Sequence, residues 1–332
     1  MKFNDLDNST QIILKVIFAG LVLAFLWEIR DIILVLILAL ILASAMDPLV
    51  DYFKERKIPR SVSVIAVYAL VLGLLALFSY LFIPLVVDQF KIFIINLPQY
   101  SVSFQNKFGS LFGNVNLSQF LAGQVSGLTG GSNVVSSTFG IFNGFIAAIS
   151  VLIISFYLVA EEKGMKSFIG SLIPAHHQEF TVNLVEKIQK KMGLWILGQI
   201  IVSFIMFITT WVGLLILHVH YALILGVVAG LLEVIPYIGP FVSAIPAMFI
   251  AILQSPALLI AVIILYLLLH ELEGYVLVPK IMEKTVGTSS LAILIALLIG
   301  FKLAGIVGLV ISVPIAAAIT VTVNEFWPGK AI

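Results

Sequence analysis

Two clusters of ionisable and hydroxyl-bearing side chains stand out in the apolar second half of this chain. Glu233 lies three residues before Pro236 in the run LLEVIPYIGPFVSAIPA. A carboxylate in hydrocarbon costs about 2.5–3.5 kcal/mol on insertion scales, so its presence demands a reason. It is a candidate for exchanging a proton or accepting hydrogen bonds from a polar solute. The structural alternative is a carboxylate that caps the amides freed around IPYIGP. Pro236, Gly239 and Pro240 force a break that offers backbone amides and carbonyls as ligand groups, and Tyr237 and Ser243 add hydroxyls.

The second cluster is HELEG, where His270 and Glu273 stand three residues apart with Tyr266 one turn earlier, on one side of a helix. Proton relay, solute contact and helix-to-helix hydrogen bonding all fit this stripe. Metal binding does not, because two ligands without an HExxH pattern fall short of a tetrahedral set. Lys302, between two apolar arms, can bind an anionic group or snorkel to lipid headgroups. His218 and His220 belong to a short interfacial turn.

Composition sets the environment of these groups. The chain has 332 residues, 61% of them hydrophobic and 11% charged, with a mean hydropathy of +1.17. Soluble domains carry about 25% charged residues, so this chain is a polytopic membrane protein. Apolar runs without alternation, such as Ile32 to Met46, exclude a β-barrel and predict an all-α helical fold. A net charge of +1 without a basic aromatic patch excludes nucleic acid as a partner. The chain has no cysteine and therefore no thiol chemistry or disulfide. The absence of GxxxxGK[ST], GxSxG and SxxK patterns argues against ATP hydrolysis and acyl-transfer catalysis, and no cofactor is expected. No signal peptide is read at the N-terminus, which carries Asp5 and Asp7.

Uninterrupted spans are expected at Gln11 to Trp27, Ile32 to Met46, Ser61 to Pro84, Phe139 to Ala160, Leu194 to Leu217 and Ala257 to Val278. The segments Asp47 to Arg60 and Ala160 to Gly193 are rich in lysine and arginine, which places them and the N-terminus on the cytoplasmic side. Leu85 to Thr138 then lies outside, with VVDQFKIFIINL and NKFGSLFG as interfacial helices and a loose stretch from Asn114 to Ser137. That insert is either a connector or a surface for a partner or oligomer. After Pro174, charges among Phe180, Leu184 and Ile188 predict a solvated amphipathic helix.

Two further apolar segments are interrupted. Tyr221 to Leu253 contains IPYIGP and Pro246, and each flank, about 13 residues or roughly 20 Å, is too short for a hydrocarbon core of about 30 Å. A re-entrant hairpin also keeps Lys280 and Lys284 cytoplasmic. Ser290 to Val323 is broken at FKLAG and contains Pro314. Hairpins at both places, or kinked ordinary spans, are the alternatives. The resulting plan is three membrane helices over 1–84, an extracytoplasmic insert over 85–138, and a membrane helix plus basic cytoplasmic helix over 139–193. A transport core with broken segments follows over 194–323 and a tail over 324–332.

The runs WILGQ, YALILGVVAGLLEVIPYIGPFVSAIPA, HELEGYVLVPKIMEKTVGTSSLAILIALLIG and GIVGLVISVPIAA resemble the autoinducer-2 exporter family of permeases. The resemblance is strongest from Trp195 to Ala318 and extends in layout over nearly the whole chain. It implies an inner-membrane permease with about eight membrane segments, assembled as a homo-oligomer with a pentamer as the candidate state. Family members are linked to export of autoinducer-2, and others to sodium/proton antiport. The family signature falls on Glu233, Pro236, Tyr237, Gly239, Pro240, Pro246, Glu273, Gly274, Pro279, Gly287 and Pro314. Of these, Pro246, Gly274, Pro279, Gly287 and Pro314 are expected as structural breaks. Many relatives carry Asn at the position of Glu233.

Three functions compete on this basis. The first is a secondary transporter exporting a small polar solute, and the second a cation/proton antiporter using Glu233 and Glu273. The third is a non-transporting scaffold that organises partners through the outer insert. None is an enzyme, and all contact membrane lipid.

Overall fold

The computed structural model describes residues 8–112, 131–161, 173–282 and 290–327, and every described element is helical. Backbone amides and carbonyls have no water to bond in hydrocarbon, and the helix satisfies them internally. In chain order the helices are α1 (Asn8–Glu28), α2 (Arg30–Glu55), α3 (Arg60–Phe112), α4 (Gly131–Ala160) and α5 (Ala175–Ile216). They continue with α6 (Ala222–Leu232), α7 (Ile238–Gln254), α8 (Pro256–Leu272), α9 (Val278–Met282) and α10 (Ser290–Phe326). A π-helical turn, Glu273–Leu277, joins α8 to α9. Among the described residues, five helical stretches are long and apolar enough to cross a membrane: Arg30–Glu55, Arg60–Phe93, Ala175–Ile216, Pro256–Ile281 and Leu291–Phe326.

Several helices run past the limits expected from sequence. Only Ile29 separates α1 from α2, and hydrogen bonds from Ile29 to Phe25 and from Ile33 to Ile29 carry the helical pattern across it. The expected linker Asp47 to Arg60 is mostly helix, since α2 continues through Pro48 to Glu55. α3 passes through Pro84 and extends 53 residues, about 80 Å. The amphipathic segment after Pro174 and the span beginning at Leu194 form the single helix α5. Gly131 to Ser137, expected to be loose, opens α4, and the preceding part of that stretch lies outside the described residues. Pro246 and Pro314 do not break their helices as expected: each lies inside one, α7 and α10 respectively. Pro costs a hydrogen bond to the carbonyl four residues back, a loss that packed membrane helices accommodate by local adjustment.

The interruptions lie at the other expected breaks, FKLAG and IPYIGP. In α10 the backbone leaves helical geometry at Ala304 (φ −141°, ψ 20°) and Gly305 (φ 58°, ψ −135°). The chain folds back there, because a Cβ on Gly300 would collide with the backbone of Gly308 and the hydroxyl of Ser312. Residues eight apart in a straight helix would be about 12 Å apart along the axis. α6 and α7 fold back as well: Ala222 and Leu225 pack in one cluster with Ala247 and Ala251. At their open end the Gln254 amide bonds the His218 carbonyl (3.2 Å) and the His220 amide (2.9 Å), once its oxygen and nitrogen are assigned to suit both.

α5 is the central post. Gly193 sits against the backbone of Ser44 in α2, while Gly230 and Gly226 of α6 sit against Phe207 and Trp211. Such small-residue contacts let helix axes approach closely where apolar burial gives little drive to associate. Behind this post α2, α3 and α4 form a separate cluster around Val64, Val67 and Val159. It is pinned by Tyr68 donating to Ser155 (2.9 Å) and by Arg60, which bonds the Val159 carbonyl (2.9 Å) and Asp47 (3.1 Å).

Candidate functional site

Glu233 and Glu273, forty residues apart, meet beside α5. They are 1% and 4% exposed, and each acts electrostatically on the other. Glu233 closes α6, its amide bonded to the Ala229 carbonyl at 3.0 Å. Glu273 begins the π-helical turn after α8. A π-turn widens the helix by one residue and re-aims the side chains around it, a feature frequent at functional sites. Gln199 on α5 donates from its amide to the Glu233 backbone carbonyl, tying the end of α6 to the central post.

The loop from Glu233 to α7 is tightly wound. The Ile238 amide bonds the Pro236 carbonyl at 2.8 Å and the Gly239 amide the Ile235 carbonyl at 2.9 Å. Tyr237, between the first pair, is held at φ 65°, ψ −38°. A three-residue turn of this hand is rare and strained, at a cost of about 1–3 kcal/mol. Gly239 is required because a Cβ there would run into the Leu232 carbonyl and the Glu233 Cα. Tyr237→Gly eases this strain but removes a ring packed against the cluster around Trp195 and Leu297, so it should lower the melting temperature in detergent less than Tyr237→Ala does, with activity reduced in both. Equal melting temperatures for the two variants would show that the turn is unstrained.

Hydrogen bonding separates the predicted residues into two groups. The Glu233 and Glu273 carboxyls face each other within hydrogen-bonding reach, a bond that forms when one of them is protonated. Apart from that pairing, neither Glu233 oxygen, nor Glu273 Oε2, nor His270 Nδ1 has a hydrogen-bond partner among the described residues. His270 Nδ1 stands 3.9 Å from Glu273 Oε2, and its half-buried ring lies 5.0 Å from that of Phe241. Tyr266 and Ser243 are committed instead: the Tyr266 hydroxyl donates to the Ser243 carbonyl (3.2 Å) and the Ser243 hydroxyl to the Pro240 carbonyl (3.0 Å). The Tyr266 bond braces α8 against α7, and the Ser243 bond stays within α7. Lys302 is exposed just before the α10 bend and forms no ion pair with either carboxylate. Gly274 and Pro279 fall in the π-turn and in α9, and Gly287 lies outside the described residues.

Carboxylate pairs of this kind exchange protons, hold a cation or accept hydrogen bonds from hydroxyl-bearing solutes. Among the described residues no group of three or more His, Asp or Glu is placed to hold a metal ion. Two features escaped the sequence reading. Gln199 stood inside the WILGQ motif without an assigned role, although a lone amide in an apolar span is the same signal as Glu233. The π-turn leaves no mark on hydrophobic periodicity.

A profile of the family described as AI-2E family transporter matches residues 14–327. "Putative transport protein YrrI" of Bacillus subtilis (strain 168) is 25% identical over 336 aligned positions, covering 95% of this chain and 94% of that protein. "Putative transport protein YueF" of the same organism is 27% identical, covering 92% and 89%. "Putative transport protein YhhT" of Escherichia coli (strain K12) is 27% identical, covering 98% and 93%. With a match running almost end to end over multi-pass apolar helices, the chain belongs to the AI-2E transporter family.

Proposed function

We propose that this chain is a gradient-driven permease of the cytoplasmic membrane that moves a small polar solute outward, with Glu233 and Glu273 as its polar centre. The observation that carries this reading is the pair of facing buried carboxyls, three of whose oxygens take no donor from any other group among the described residues, set where α6–α7 folds back. Broken segments at membrane depth are where transporters gather solute ligands. α6 and α7, about 16 and 25 Å long, and the α10 arms 290–303 and 306–326 then dip into the bilayer as re-entrant hairpins. About eight membrane segments follow, with the N-terminus and the lysines of α5 in the cytoplasm. The family description makes autoinducer-2 the first solute to test, and large exposed apolar faces on α1 and α3 suit lipid and a homo-oligomer.

A second reading, cation/proton antiport, is favoured by one observation: among the described residues the two carboxylates have no lysine or arginine partner. Proteoliposomes separate the two. With a pH-sensitive dye inside, solute movement indifferent to sodium supports the first reading, and proton release on adding sodium supports the second. Silence in both assays would instead favour a non-transporting scaffold.

A further inference from the structure

Hydroxyls in this chain's membrane helices mostly bond back to the carbonyl one turn earlier. Thr209 does so to Ile205 (2.8 Å), Ser44 to Leu40 (2.7 Å), Thr320 to Ala316 (2.9 Å) and Thr322 to Ala318 (2.8 Å). That is the ordinary way to satisfy a hydroxyl in hydrocarbon. Ser203 and Thr210 depart from it. The oxygens of both are buried without a partner among the described residues, and Thr210 is 0% exposed.

Their placement links them to the carboxylates. Gln199, Ser203, Met206 and Thr210 recur at helical spacing and share one face of α5. Gln199 holds the Glu233 carbonyl, and the Ser203 carbonyl lies 3.0 Å from where a Gly230 Cβ would stand. The line therefore runs from Glu233 along the α5–α6 seam, with Thr210 about 16 Å beyond Gln199. It stops beneath Leu214, Val262, Ala247 and Ala251, each 0% exposed in one apolar cluster. Past that layer lie the His218–His220 turn and Gln254.

We infer that Ser203 and Thr210 are the second half of the solute path, a pair of hydroxyl ligands for a neutral, hydroxyl-bearing solute moving between Glu233 and the His218–His220 end. The layer of Leu214 and Val262 is the gate that closes it. Hydroxyls both donate and accept and bring no charge, which matches a neutral solute better than a bare cation needing about six oxygens. This inference rests on the permease reading above, and the test keeps the two failures apart.

Two measurements on the full chain decide it. Thr210→Val and Ser203→Ala remove hydroxyls that no group among the described residues uses, so the melting temperature should hold or rise while autoinducer-2 flux falls at least fivefold, with Thr210→Ser restoring it. Flux unchanged in both variants would overturn the inference. The second measurement does not depend on the solute and exploits the absence of native cysteine. In proteoliposomes, Thr210→Cys should react slowly with a methanethiosulfonate reagent, and at least tenfold faster once Leu214→Ala and Val262→Ala are added. The reagent must act from the side that labels Ala257→Cys. Val262→Ala alone serves if the combined variant does not fold. Labelling that stays slow with the gate trimmed refutes the path, whereas absent flux in the wild-type chain refutes the permease reading alone.

Discussion

Glu233→Gln is expected to lower solute flux about 10- to 100-fold while the melting temperature in detergent stays level or rises. Apart from the facing Glu273 carboxyl, to which the substituted amide can still donate, its two oxygens have no hydrogen-bond partner among the described residues, and the side chain is 1% exposed. A residue kept for stability would show the reverse pattern, because removing a buried group that others rely on destabilises. Here the contact that ties the site to α5 runs from Gln199 to the backbone carbonyl, and it survives the substitution. Glu273→Gln should give the same sign with a smaller loss, since His270 remains as a neighbouring group. Flux of both variants against thermal stability in one detergent preparation checks the pair. Loss of stability together with flux would recast Glu233 as a structural cap.

The largest effect on folding is expected from Gly300→Val. At the α10 fold-back the two arms touch through Gly300 and Gly308, and any side chain at Gly300 meets backbone as well as the Ser312 hydroxyl. Backbone cannot rotate away as a side chain can, so the arms must part. Their faces would then separate around Leu297, Leu309 and Val313, which belong to the core cluster that also holds Trp195 and Ile235. Overpacking typically costs about 1–3 kcal/mol, and a backbone clash in a hairpin falls at or above the top of that range. Gly300→Val should lower the melting temperature markedly and broaden the size-exclusion peak. Gly274→Ala, at a glycine with open space around it, should change neither.

Much of this site was legible in the sequence because hydrocarbon makes exceptions conspicuous. Glu233 and HELEG stood out as charges in apolar runs, and length alone marked 221–253 and 290–323 as interrupted. FKLAG gave the α10 bend at Ala304 and Gly305, since glycine tolerates the positive φ found there. What periodicity could not carry was tertiary. Nothing local brings Glu233 and Glu273 together, because that depends on the π-turn and on the packing of both segments against α5. Nor did the types of Tyr266 and Ser243 disclose that their hydroxyls are spent on backbone carbonyls of α7. Prolines misled in the other direction. Pro246 and Pro314, expected as breaks, and Pro84, expected to end a span, all lie inside helical stretches, where packed neighbours absorb the missing amide.

The central claim, that the chain carries a solute through the Glu233–Glu273 centre, meets its most direct test in one flux measurement. Purified wild-type chain and Glu233→Gln are reconstituted side by side, and labelled autoinducer-2 and related small polyols are followed down a concentration gradient. The account predicts saturable flux above that of empty liposomes for the wild-type chain with at least one of these solutes, and its collapse in Glu233→Gln. Wild-type flux no greater than that of empty liposomes, or full flux retained by Glu233→Gln, would contradict it.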